Sequence, residues 1–149
     1  INTYSLILAA TYMSDSAGMN SKEDRAKLES AVSRAKPEIQ ILVNNIIENV
    51  DKKSGSVNNA VNVYEKEIDL TFSRDYVMPS VRVWDRAINA SQDKAISETI
   101  LLNTVLLRSQ ALQNIYPGLL RDVLQGFENV GLTDISEDMA IAALLGNIE

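Results

Sequence analysis

The chain has 149 residues, 46% hydrophobic but only 5% aromatic, with a net charge of -6 and neither histidine nor cysteine. Its length fits one domain spanning residues 1–149, with enough apolar material for a core. The missing residue types exclude disulfides, thiolate nucleophiles, His/Cys zinc or haem ligation and imidazole proton transfer, and the dispersed acidic surplus lacks the clustered Lys and Arg that phosphate binding needs.

An aliphatic-rich, ring-poor composition suits helices that pack through Leu, Ile and Val ridges, so an all-α fold is expected. No run approaches the ~18 apolar residues of a membrane span. The chain begins at Ile1 and not at Met, as a processed, trimmed or excised chain would; a removed leader would make it a bacterial extracytoplasmic or secreted protein, the compartment toward which this start leans.

Residues 2–13 are apolar almost all round, through Tyr4, Leu6, Ile7, Leu8, Ala9, Ala10, Tyr12 and Met13. Such a helix needs cover on every side. The stripes from Leu28 to Ile148 suffice for a core without it, so its removal is expected to leave a folded monomer with weakened association.

"SKED" at Ser21 has capping-box form, with Asp24 in place of the usual Glu. The following seam, Leu28, Val32, Ala35, Ile39, Leu42, Ile46 and Val50, recurs at spacings of 3 and 4 across Pro37. This predicts either one long helix kinked near 33–37 or two stacked helices, ending at "DKKSGS". Val57, Val61, Tyr64, Ile68 and Phe72 predict the next helix. The acidic group Glu65, Glu67, Asp69 and Asp75 lies along it, and the di-iron use of such carboxylates would require Glu-x-x-His. It reads as a solvated face.

Asp75 and Pro79 are placed to open a helix whose apolar face carries Val81, Trp84 and Ile88. Trp84 therefore reads as a core anchor. Arg82 and Arg86, four apart on the opposite face, are candidates for an acidic partner. The segment Ile96–Tyr116 is the most apolar in the chain, which predicts a central helix near 93–115 surrounded by the others. Its polar residues Asn103, Thr104 and Arg108 would line a ligand cavity if they faced inward. Pro117 opens the next helix, Gly131-Leu132 closes it in Schellman form, and Asp134 with Glu137 caps the last.

The whole predicts a single compact bundle of six or seven helices. No catalytic residue, metal ligand or cofactor site emerges, since the chain holds neither a phosphate loop nor a Gly-x-Ser-x-Gly elbow. The leading expectation is a noncatalytic bundle acting through a protein partner or self-association, at Tyr4, Leu6, Ile7, Leu8, Arg82 and Arg86. The alternative is a small-molecule or lipid carrier or sensor with an apolar cavity at Asn103, Thr104 and Arg108. A carboxylate-based hydrolase comes last, and neither nucleic acid nor an integral membrane segment is expected.

Overall fold

A computed structural model describes residues 2–14, 22–51, 76, 78–108 and 110–148. Seven α-helices are found among them: α1 (Asn2–Ser14), α2 (Lys22–Ser33), α3 (Pro37–Asp51), α4 (Val81–Gln92), α5 (Ile96–Leu107), α6 (Pro117–Asn129) and α7 (Thr133–Gly146), with a 3-10 turn at Leu112–Asn114. The described residues contain no strand, and the helices pack as a compact bundle. The helix expected over 57–72, its acidic group Glu65, Glu67, Asp69 and Asp75, and the Ser21 cap lie outside the described residues.

The seam that crosses Pro37 is continuous in space although the helix is not. Leu28, Val32, Ala35, Ile39, Leu42 and Ile46 are all buried, while the chain breaks at residues 34–36 and Pro37 becomes the first residue of α3, where an amide hydrogen has no helical partner to lose. Side chains finish the junction. Gln40 Nε2 donates to the Ala35 carbonyl at 2.8 Å, and Asn2 Oδ1 accepts from the Lys36 amide at 3.0 Å, tying the start of α1 to the corner.

α1 belongs to the core. Leu6, Ala9 and Ala10 are buried, the helix packs on α2, α3 and α7, and Ser5 Oγ donates to the Ala31 carbonyl of α2 at 3.0 Å. Removing residues 2–13 would thus open the interior, contrary to the sequence expectation, because α1 covers the apolar faces of α2, α3 and α7. Leu6→Ala is expected to cost about 2–5 kcal/mol and the exposed Tyr4→Ala within about 0.5 kcal/mol, read from urea unfolding midpoints.

The centre is α6, not the segment near 93–115. α6 packs against α3, α4, α5 and α7, and no residue from Pro117 to Asn129 is exposed. Leu119, Leu120, Val123, Leu124 and Phe127 fill the space between its neighbours. Several of its polar groups are accommodated by pairing. Trp84 of α4 is fully buried and donates its Nε1 hydrogen to Asp122 Oδ2 at 2.9 Å. Arg121 Nε donates to Asp122 Oδ1 at 3.3 Å, and its Nη1 to Asn45 Oδ1 of α3 at 3.0 Å. A buried chain of polar groups thus links α4, α6 and α3. Tyr116 meets Trp84 edge-on, ring centroids 6.4 Å apart, and meets Tyr76 in the same manner at 5.7 Å.

Helix ends explain the remaining differences. α6 opens at Pro117 and closes in a Schellman motif, as the sequence indicates: Leu132 N donates to Phe127 O at 2.8 Å and Gly131 N to Glu128 O at 3.0 Å, with Gly131 at φ 86°. α5 stops at Leu107, nine residues short of Tyr116, because Arg108 turns left-handed at φ 49°. α4 starts at Val81 after Pro79, with Ser80 at its N-cap and no side-chain capping bond; Asp75 lies outside the described residues. α7 likewise begins at Thr133 without a side-chain cap, so Asp134 sits in its first turn and not at the N-cap.

Candidate functional site

The nine residues singled out by the sequence do not converge. α1 packs on α2, α3 and α7, whereas α4 and α5 pack on each other and on α6. On α1, Tyr4 and Ile7 are exposed, Leu6 is buried and Leu8 leans on the core. On α4, Arg82 is exposed, and Arg86 Nε pairs with Glu98 Oε1 of α5 at 3.0 Å.

The cavity residues separate in the same way. Asn103 is buried with its Nδ2 donating to the Val123 carbonyl at 3.4 Å. It packs against Gly126, where a Cβ would lie 3.2 Å from that amide nitrogen, so α5 and α6 approach closely here. Thr104 is exposed and donates its hydroxyl to the Ile100 carbonyl at 2.7 Å. Arg108 is exposed at the end of α5.

A cleft of about 320 Å³ lies elsewhere, between α2 and α3, over Leu28, Val32 and Ile47. Arg25, Glu29 and Gln40 on its rim are engaged within the protein. Arg25 Nε pairs with Glu29 at 3.0 Å and its guanidinium lies 5.9 Å over the Tyr12 ring, while Gln40 serves the carbonyls that end α2.

α5 carries the unusual surface. Its buried residues are Thr99, Asn103 and Leu106, at spacings of four and three, so two of the three inward positions are polar. Outward it shows Ile96, Ile100, Leu101 and Val105, which are 50%, 41%, 64% and 48% exposed. A surface helix ordinarily does the reverse. The inversion follows from what lies beneath: the narrow gap at Gly126 admits an amide that satisfies a carbonyl, and the wide aliphatic side chains are left outside. No charged residue occurs from Thr99 to Leu107. The Arg86–Glu98 pair borders this face at one end and Arg108 at the other. All-round apolarity of this segment is visible in the sequence, but periodicity alone does not tell a helix covered by its own bundle from one that offers its apolar side to something else.

Glu128 is a titratable group altered by its surroundings. Burial pushes its carboxyl above the ordinary value of 4.5, a hydrogen bond from Ser136 opposes this, and the nearby Glu137 adds to the rise. A raised folded-state pKa favours folding fully below the ordinary value, and this contribution is lost as pH rises through the folded value. Ionised Glu128 is therefore a cost at neutral pH. Glu128→Gln is expected to raise the melting temperature at pH 7 and to leave it unchanged near pH ~3.5, where both side chains are neutral; thermal melts across this range read the difference.

Among the described residues no group of three or more acidic side chains is placed to hold a metal ion, and none of the described helices is long and apolar enough to cross a membrane. Compared with known proteins, the chain matches no family model, no curated protein and no solved structure.

Proposed function

We propose that this protein is a noncatalytic helical bundle that works by binding protein, and that α5 is its docking face. The observation that carries the reading is the inverted helix: Thr99 and Asn103 inside, Ile96, Ile100, Leu101 and Val105 outside. Contiguous exposed aliphatic surface is disfavoured in water at about 25 cal/mol per Å², and patches of this kind mark interaction sites. α1 is a weaker candidate. Tyr4 and Ile7 are exposed, but that helix buries Leu6, Ala9 and Ala10 in the conventional manner.

A photoreactive residue tests the assignment. Installed at position 101 of the protein in its native cell, it is expected to form one dominant protein adduct. The exposed position 138 on α7 serves as control and should form none, and Val105→Lys on the same face as Leu101 should abolish the adduct. Equal labelling at 101 and 138, or no protein adduct at 101, overturns the reading.

A further inference from the structure

We infer that the occupant of the α5 face is α5 of a second copy of this chain, the two helices crossing antiparallel about a two-fold axis; this rests on the docking role proposed above for that face. Charge supplies the first argument. Each copy carries a net charge of -6, which opposes close approach between acidic surfaces. The stretch from Thr99 to Leu107 holds no ionisable group, so two such faces meet without repulsion.

The second argument is the placement of the charges at its ends. Glu98 and Arg108 lie five residues on either side of position 103, and Leu101 and Val105 two residues on either side. A two-fold axis makes any patch pair with itself. Centred on position 103 with the helices antiparallel, it sets Leu101 level with Val105 of the second copy, and Glu98 level with Arg108 of the second copy. Each contact occurs twice. A parallel arrangement would instead bring Arg108 against Arg108. Antiparallel helix dipoles favour the same choice.

The third argument concerns desolvation. Ser97 and Thr104 are the polar side chains amid the exposed aliphatic residues, both small and uncharged, and the Thr104 hydroxyl already donates to the Ile100 carbonyl at 2.7 Å. Covering Thr104 therefore leaves its donor satisfied. The patch is on the order of a few hundred Å² per copy, below the ~1,200 Å² total of stable complexes, so the dimer is reversible and concentration-dependent.

Sedimentation equilibrium between about 10 µM and 1 mM, the range of weak interfaces, tests this with the intact chain. The wild type is expected to pass from monomer to dimer. Leu101→Lys should weaken the dimer at least ~10-fold, the effect of about 1.4 kcal/mol, with a melting temperature within about 2 °C of wild type as the control for folding. In an Arg86→Gln background, which removes the intramolecular pairing at position 98, Glu98→Arg and Arg108→Glu should each weaken it, and adding both as E98R/R108E, the double variant that restores opposite charges across the axis, should recover most of the loss.

A wild type that stays monomeric throughout overturns self-pairing, and the photoreactive residue at 101 then shows separately whether the face binds a different protein. A dimer untouched by Leu101→Lys uses another surface and overturns the inference. Loss without recovery in the double variant overturns the antiparallel register. If Leu101→Lys lowers the melting temperature by many degrees, the face is covered within the chain, and both this inference and the docking role fall.

Discussion

Trp84→Ala is expected to cost at least about 3–5 kcal/mol of folding stability, a large share of the roughly 5–15 kcal/mol that a domain possesses. Trp84 is fully buried, and its ring is held edge-on by Tyr116, which is in turn held by Tyr76. Truncation leaves a cavity at the junction of α4 and α6 and removes the indole hydrogen that Asp122 accepts at 2.9 Å. Trp84→Phe separates the two effects. It keeps most of the apolar volume but takes away the donor, so its cost should be nearer 1–3 kcal/mol, roughly the penalty of a buried acceptor short of a partner. Urea unfolding followed by circular dichroism measures both. In the wild type the tryptophan emission should be blue-shifted and poorly quenched by iodide. A red-shifted, readily quenched emission together with an alanine variant of unchanged midpoint would place the indole in water and refute the packing described.

That Trp84 is a core anchor is legible from the chain, since Trp84 and Ile88 share one side of a 3.6-residue period. Its partner is not, because Asp122 lies 38 residues away and nothing local marks it. The same division runs through the fold. Pro37, Pro117 and Gly131 announce helix boundaries through their own backbone restrictions, and each stands where it should. Lys94 and Arg108 end helices just as firmly in the left-handed region, at φ 59° and 49°, yet neither residue type prefers that conformation, so the sequence shows no stop. Lys94 is held there in part from outside, its Nζ donating to the Asn129 carbonyl at 2.7 Å.

The candidate site illustrates a different limit. Apolar content ranks α5 above α6 as the buried helix, and the ranking fails because burial depends on satisfied polar groups as well as on hydrophobicity. Arg121, Asp122, Gln125, Glu128 and Asn129 would mark α6 as a surface helix. All five are instead engaged by neighbouring helices or by one another. Conversely, Asn103 is drawn inward by one carbonyl and one glycine, turning α5 so that its aliphatic side faces out. Both placements draw on partners remote in the chain, Trp84 and Asn45 for α6 and Val123 and Gly126 for α5, which no periodicity reports.

Breaking the buried charge pair of α6 is expected to be nearly as damaging as losing the tryptophan. Arg121 and Asp122 side chains are only 11% and 6% exposed. Adjacent residues on a helix normally diverge by about 100°, yet these two meet at 3.3 Å, the guanidinium reaching to Asn45 of α3 and the carboxylate to Trp84 of α4. Removing water from two charges is expensive, and their attraction offsets it only while both are present. Arg121→Met, close in length but neutral, leaves the Asp122 carboxylate in the interior without its guanidinium and should cost about 3–5 kcal/mol at neutral pH. Arg121→Met combined with Asp122→Asn removes both charges and keeps an acceptor oxygen for the Trp84 indole. It should regain at least about half of the loss, giving a coupling energy of roughly 0.5–3 kcal/mol in a double-mutant cycle. Urea midpoints at constant slope supply the four stabilities. If Arg121→Met lies within about 0.5 kcal/mol of wild type, as surface pairs do, the guanidinium is solvated, and the link from α3 through α6 to α4 does not hold the bundle together.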